Sequence, residues 1–140
     1  MSKIGEEHFV AKIAQKVIIE KEGTVLIVCH PKSDIWELPG GRLNKGELPQ
    51  DGLVREVKEE LGVDIIPTGL VYIDTYVHRT EGDHLTIVYK AVLKDATQTF
   101  ELENEEVAEV RWIKKEQLAQ QSIWQDNLTA LEMFFKIGDK

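Results

Sequence analysis

The chain has 140 residues, enough for one hydrophobic core and too few for two ordinary domains, so a single domain over residues 1–140 is expected. No uninterrupted apolar run approaches the roughly 18 residues a membrane span needs, and the acidic start MSKIGEEHF lacks the apolar segment of a secretion signal, so the cytoplasm is the expected location. Seventeen Lys and Arg against 25 Asp and Glu leave a formal charge of −8, which argues against a polynucleotide partner, whereas a small polyphosphate stays compatible if a divalent cation stands between its oxygens and the protein's carboxylates.

In chain order, Phe9 to Ile19 and Thr24 to His30 are rich in Val and Ile and read as strands, with Glu20 to Gly23 as the hairpin turn between them. Cys29, the single cysteine, excludes an internal disulfide and, in VLIVCH, reads as a packed strand thiol. Ile35 to Leu38 is a short extended piece, and Pro39-Gly40-Gly41 is expected to be loop. From Pro49 to Leu61 the apolar spacing turns helical, with proline in the first turn and Gly62 placed for a left-handed C-cap. Leu70 to Arg79 and His84 to Leu93 alternate as strands around the turn Thr80 to Asp83, and Val107 to Ile113 reads as a further strand. Lys114 to Gln121 and Asp126 to Ile137 are expected helices, so the class is α/β, a mixed sheet covered by helices on both faces.

On the wheel of the central helix, Leu53, Val54, Val57 and Leu61 share an arc of about 100° that should face the core. Glu56, Glu59 and Glu60 share a second arc, with Lys58 pointing away, so the carboxylates repel without obvious local relief. Three hard oxygen donors on one helix side suit Mg²⁺ or Mn²⁺; an acidic solvated face is the plain alternative. Gly52, between Glu56 and Glu59 on the wheel, either leaves room above these carboxylates for metal and phosphate or permits close helix packing. Gly40 and Gly41 let the backbone turn and expose a carbonyl near the helix.

Together Gly41, Glu47, Arg55-Glu56-Val57, Glu59-Glu60 and Gly62-Val63 fill every defined position of a long gapless pattern in GRLNKGELPQDGLVREVKEELGV. This segment, residues 41–63, resembles the Nudix box, and the strands before it, WELPGG and VRWI also look like that family. The resemblance implies the Nudix fold, an α/β/α sandwich around a mixed sheet, with the box as loop–helix–loop. It also implies Mg²⁺-dependent hydrolysis of a pyrophosphate bond in a nucleoside diphosphate linked to a moiety X, with Mn²⁺ an alternative ion.

Carried over by position, Glu56, Glu59 and Glu60 resemble the family's metal ligands and the Gly40 carbonyl a frequent backbone ligand. Gly41, Glu47 and Arg55 resemble the supporting positions, the last two as an ion pair that orients the carboxylates. The family's general base is a box glutamate in some members and a later loop glutamate in others, so Glu56, Glu105 and Glu106 are candidates; we favour Glu56 as ligand and Glu106 as base.

Specificity must lie outside the box. Alternation in Leu70 to Arg79 places Tyr72, Asp74, Tyr76 and His78 on one face as candidates for contact with base or sugar, with Val71, Ile73 and Val77 expected in the core. An ordinary half-exposed strand face is the alternative for the first set. Nucleoside triphosphates, damaged nucleotides, nucleotide sugars and dinucleoside polyphosphates stay open as substrates, and a homodimer is allowed. A non-catalytic nucleotide-sensing module is the alternative function; lost box carboxylates would have favoured it, and none is lost.

Overall fold

A computed structural model of the chain describes residues 7–78 and 82–138. Strand β1 (Lys12–Lys21) turns into β2 (Thr24–Cys29). The turn needs only Glu22 and Gly23, at φ of 51° and 80°; positive φ at both central residues matches the twist of a two-residue hairpin, so the turn is tighter than expected. Short β3 (Trp36–Glu37) and β4 (Gly40–Arg42) lead to helix α1 (Pro49–Leu61). Long β5 (Ile65–His78) and β6 (Gly82–Leu93) form an antiparallel ribbon, followed by β7 (Glu109–Ile113), a 3₁₀ turn (Lys115–Gln120) and helix α2 (Gln125–Gly138).

The sheet is mixed, in the order β3-β2-β1-β6-β5, with β4 also pairing β1 and β7 pairing β2. Only β1 and β6 run parallel among these pairs, from Lys12↔His84 to Ile19↔Ala91. Alternation along β1 and β2 divides the core. Val17, Ile19, Leu26 and Val28 pack with Leu53, Val57 and Leu61 of α1, while Ile18, Val25 and Ile27 pack with Ala130 and Leu131 of α2. Helices therefore cover both faces, as the alternating segments require. Helix α1 keeps its expected bounds because Pro49 begins it and Gly62, at φ 70°, caps it with an N–H donated to the Lys58 carbonyl at 2.9 Å.

Several expectations are corrected. Gly40 and Gly41 are strand, pairing with Lys16 and Gln15; at Gly40 a Cβ would collide with the Gln15 carbonyl, so glycine serves close strand approach here. Lys115–Gln120 forms 3₁₀ instead of α structure. The segment Phe9 to Ala11 does not pair, and β7 starts two residues after Val107, which is buried in the α1-side core. Ile73 and Val77 are 53% and 74% exposed, so the core set expected on β5 fails beyond Val71. The reason is tertiary: β5 is an edge strand, and a register shift between Leu70 and Tyr72 brings both Val71 and Tyr72 against the α2-side core.

Candidate active site

Helix α1 presents its glutamates in graded environments. The Glu59 side chain is 57% exposed and that of Glu56 19%, and Glu60 is buried. The repulsion among them is locally relieved, contrary to expectation, because Arg55 Nη1 donates to Glu56 Oε1 at 3.0 Å and to both oxygens of Glu59 at 3.2 Å. The rest of that guanidinium makes a two-point bond with Glu47, Nε to Oε2 at 2.7 Å and Nη2 to Oε1 at 2.8 Å. The Arg55 bond pulls the Glu47 carboxyl down to about 2, with the Asn44 N–H assisting, and raises the arginine's own pKa. Glu47 is thus a fixed anchor, and Arg55 aims from it at Glu56 and Glu59. Lys58 instead reaches Asp64 at 3.5 Å.

The glycines have separate tasks. A Cβ on Gly41 would overlap the Glu56 carboxylate, so β4 and α1 hold that carboxylate against bare backbone. A Cβ on Gly52 would meet Leu43 Cδ1 at 2.7 Å and Glu47 Oε1 at 2.9 Å. Gly52 therefore serves close packing of the preceding loop and does not clear space above Glu56 and Glu59.

Glu60 lies at the centre of the charges. Burial pushes its carboxyl up to about 8, opposed by Lys16 and reinforced by Glu56, Glu106 and Glu37. Among the described residues no three His, Cys, Asp or Glu side chains are already arranged to hold one metal ion. Arg55 bonds two of the three candidate ligands on α1, so an ion would have to compete with it for Glu56 and Glu59. The donor set nevertheless fits a hard dication: all carboxylate, next to a buried acid whose proton a metal would replace.

The loop after β6 reaches the same place by capping the helix end. The N–H groups of Glu101 and Glu103 donate to the carbonyls of Leu61 and Glu60, each at 2.9 Å, satisfying acceptors that α1 leaves free. Glu59, Glu103, Glu105 and Glu106 consequently line a cleft of about 300 Å³. Glu105 and Glu106 are both there, joined by Glu103, which the sequence did not single out.

A second group escaped sequence reading altogether. Lys16 Nζ and His30 Nε2 both donate to Glu37 Oε1, at 3.0 and 2.8 Å, and Lys16 also donates to the Leu38 carbonyl at 3.2 Å. Nothing in the spacing of Lys16, His30 and Glu37 marks them, since β1, β2 and β3 bring them together.

The proposed substrate face lies elsewhere on the sheet. Tyr72, Asp74 and Tyr76 sit opposite Val88, Thr86 and His84 of β6. The Tyr72 hydroxyl donates to Asp74 Oδ2 at 2.6 Å, a bond that, with burial, raises the phenol to about 12, and Tyr76 stacks on His84 at 5.3 Å. His78 pairs with Gly82 through its backbone, and its side chain lies outside the described residues. Cys29 is packed, its Sγ 2.9 Å from the Ser33 carbonyl, and burial raises its thiol, in keeping with a structural role.

A mixed sheet between two helices, with a glutamate-rich helix set against a Gly-Gly strand, defines an α/β/α sandwich built around a carboxylate site. The NUDIX domain profile matches residues 12–134, and the chain belongs to the Nudix hydrolase family. Over 81 residues it is 38% identical to an 8-oxo-dGTP diphosphatase of Proteus vulgaris, covering 55% of this chain and 70% of that protein. Over 122 residues it is 35% identical to the uncharacterised Nudix hydrolase lmo0368 of Listeria monocytogenes, covering 81% and 68%. Several other curated relatives are matched over less than half of their length. Among solved structures, a MutT protein from Methanosarcina mazei Go1 superposes with a TM-score of 0.78 at 24% identity, covering 93% of this chain and 96% of that one, a likeness of fold. Hydrolases of this family generally use a divalent metal, and no described helix is long and apolar enough to cross a membrane.

Proposed function

We propose that this chain, as a single Nudix domain in the cytoplasm, hydrolyses a pyrophosphate bond in a small nucleoside diphosphate derivative with Mg²⁺, Mn²⁺ being an alternative. The observation that carries this reading is Glu60, a buried acid among the like charges of Glu56, Glu106 and Glu37. Such a group is costly unless a cation joins it. Glu56, Glu59, Glu60 and the Gly40 carbonyl would hold the ion, Glu47 and Arg55 orienting the first two and Gly41 giving Glu56 its place. When bound, the ion would lower the pKa of water and offset charge developing on phosphate oxygens.

Glu106, on the loop that lines the same cleft as Glu59, would take the proton from water attacking phosphorus, while Glu56 stays a ligand. Tyr72, Asp74, Tyr76 and His78 would contact base or sugar, the Tyr72–Asp74 bond fixing the direction of both polar groups. The relative named for 8-oxo-dGTP puts nucleoside triphosphates first among substrates to test, ahead of nucleotide sugars and dinucleoside polyphosphates.

The test combines metal titration with a substrate panel. Glu59→Gln and Glu60→Gln should each weaken Mg²⁺ binding and turnover at least about tenfold while the fold persists. Hydrolysis in heavy-oxygen water should place the label on a phosphate product. Full activity in both folded variants, or label on carbon only, would overturn the assignment. Nucleotide binding without turnover of any panel member would favour the sensing module instead.

A further inference from the structure

His30 stands just beyond β2, between β3 and β7, which flank the end of that strand. Val28 pairs with Glu37 of β3 on one edge and Val110 of β7 on the other, and the N–H of Ala108 donates to the Cys29 carbonyl at 2.9 Å. The imidazole bridges these two sides. Nε2 meets Glu37 Oε1 at 2.8 Å, and Nδ1 meets the backbone carbonyl of Glu106.

Both partners are acceptors. A backbone carbonyl cannot donate, and neither can an ionised carboxylate, whereas a neutral imidazole carries a single N–H. The two contacts can be hydrogen bonds together only when both ring nitrogens are protonated. From this we propose that His30 is a positioning residue: as the imidazolium it ties the Glu103–Glu106 loop to Glu37, and so sets where Glu106 stands relative to α1. The inference rests on the proposed role of Glu106 as base.

The surroundings agree with a charged ring. Partial burial works against the charge, but the hydrogen bond and charge of Glu37 and the Glu106 carbonyl outweigh it and hold the pKa above the ordinary histidine value, against opposition from Lys16. The charged groups facing the ring are thus Glu37 from β3 and Lys16 from β1, while the loop contributes the backbone carbonyl of Glu106. Cys29, its neighbour in β2, is a buried thiol with a raised pKa and adds no charge at neutral pH. When the pH rises through the His30 pKa, one N–H is lost, a donor–acceptor contact becomes acceptor against acceptor, and the loop is released.

The experiment follows kcat against pH at saturating metal for the native enzyme, His30→Gln and His30→Arg. Gln offers one donor group and no charge, whereas Arg offers several donors and a charge that persists at every accessible pH. His30→Gln should lower kcat by about ten- to a hundredfold, with substrate KM and Mg²⁺ affinity little changed, as expected when a reacting group is misplaced. His30→Arg should recover most of kcat and move the alkaline limb out of range.

NMR supplies a readout that needs no turnover. The backbone amides of Glu105 and Glu106 should shift with the His30 imidazole midpoint in the native protein, and should not titrate there in His30→Arg. A native kcat and alkaline limb in His30→Gln, or His30→Arg no better than His30→Gln, would overturn the proposal. So would loop amides indifferent to His30 protonation. If the native protein hydrolyses no panel substrate, the functional reading fails on its own, and the amide titration still decides whether His30 holds the loop.

Discussion

At the scale of single residues, the site depends on atoms that are missing as much as on those present. Glu56 can lie against β4 only because Gly41 has no side chain, and Arg55 then holds that carboxylate from the other side. Gly41→Ala should therefore push Glu56 off its position. We expect turnover to fall by about a hundredfold with a much smaller loss of stability, measured as kcat alongside a urea melt. Native turnover in a folded Gly41→Ala protein would show that the Glu56 position is immaterial. The box residues were legible in sequence because their types and spacing lie within one short segment. Lys16, His30 and Glu37 were not, since the first and last are ordinary strand residues and His30 merely follows a strand until the sheet register brings Lys16 and His30 to one carboxylate oxygen of Glu37.

At the scale of elements, α1 links the core to the chemistry. Leu53, Val57 and Leu61 are fully buried on the face that meets β1 and β2, and the adjoining arc carries the glutamates, with Glu60 buried beside the apolar face. Leu53→Ala should cost about 2–5 kcal/mol, from lost transfer energy and the cavity left behind. Denaturant unfolding would check this, and a loss below about 1 kcal/mol would mean that the helix is not anchored by this face. Helix bounds were readable because Pro49 and Gly62 act through local backbone geometry. The strand character of Gly40 and Gly41 was not, because two glycines favour loop until β1 offers them hydrogen bonds. The loop from Glu101 to Glu106 likewise gains its place only from the free carbonyls at the end of α1.

At the scale of the whole molecule, the two faces of the sheet are joined through the site strands. The buried side chain of Asn127, on α2, accepts from the Leu38 N–H through Oδ1 at 2.7 Å and so pins the segment between β3 and β4 from the far end of the chain. Asn127→Ala should leave that N–H unsatisfied and cost about 1–3 kcal/mol; an unchanged midpoint in urea would show that water replaces the amide.

The sequence by itself determined the α/β class, the central helix with its two arcs, and the box that identifies the family. These depend on periodicity, caps and residue identity within a short span. Tertiary structure alone decided that Ile73 and Val77 face outward on an edge strand, that Gly52 serves packing, and that Arg55 relieves the glutamates. It also brought Lys16, Glu37 and His30 beside Glu60 and the Glu106 loop. Each of these outcomes depends on which distant backbone lies alongside, and pairing register and burial are properties of the assembled sheet that no local window of residues contains.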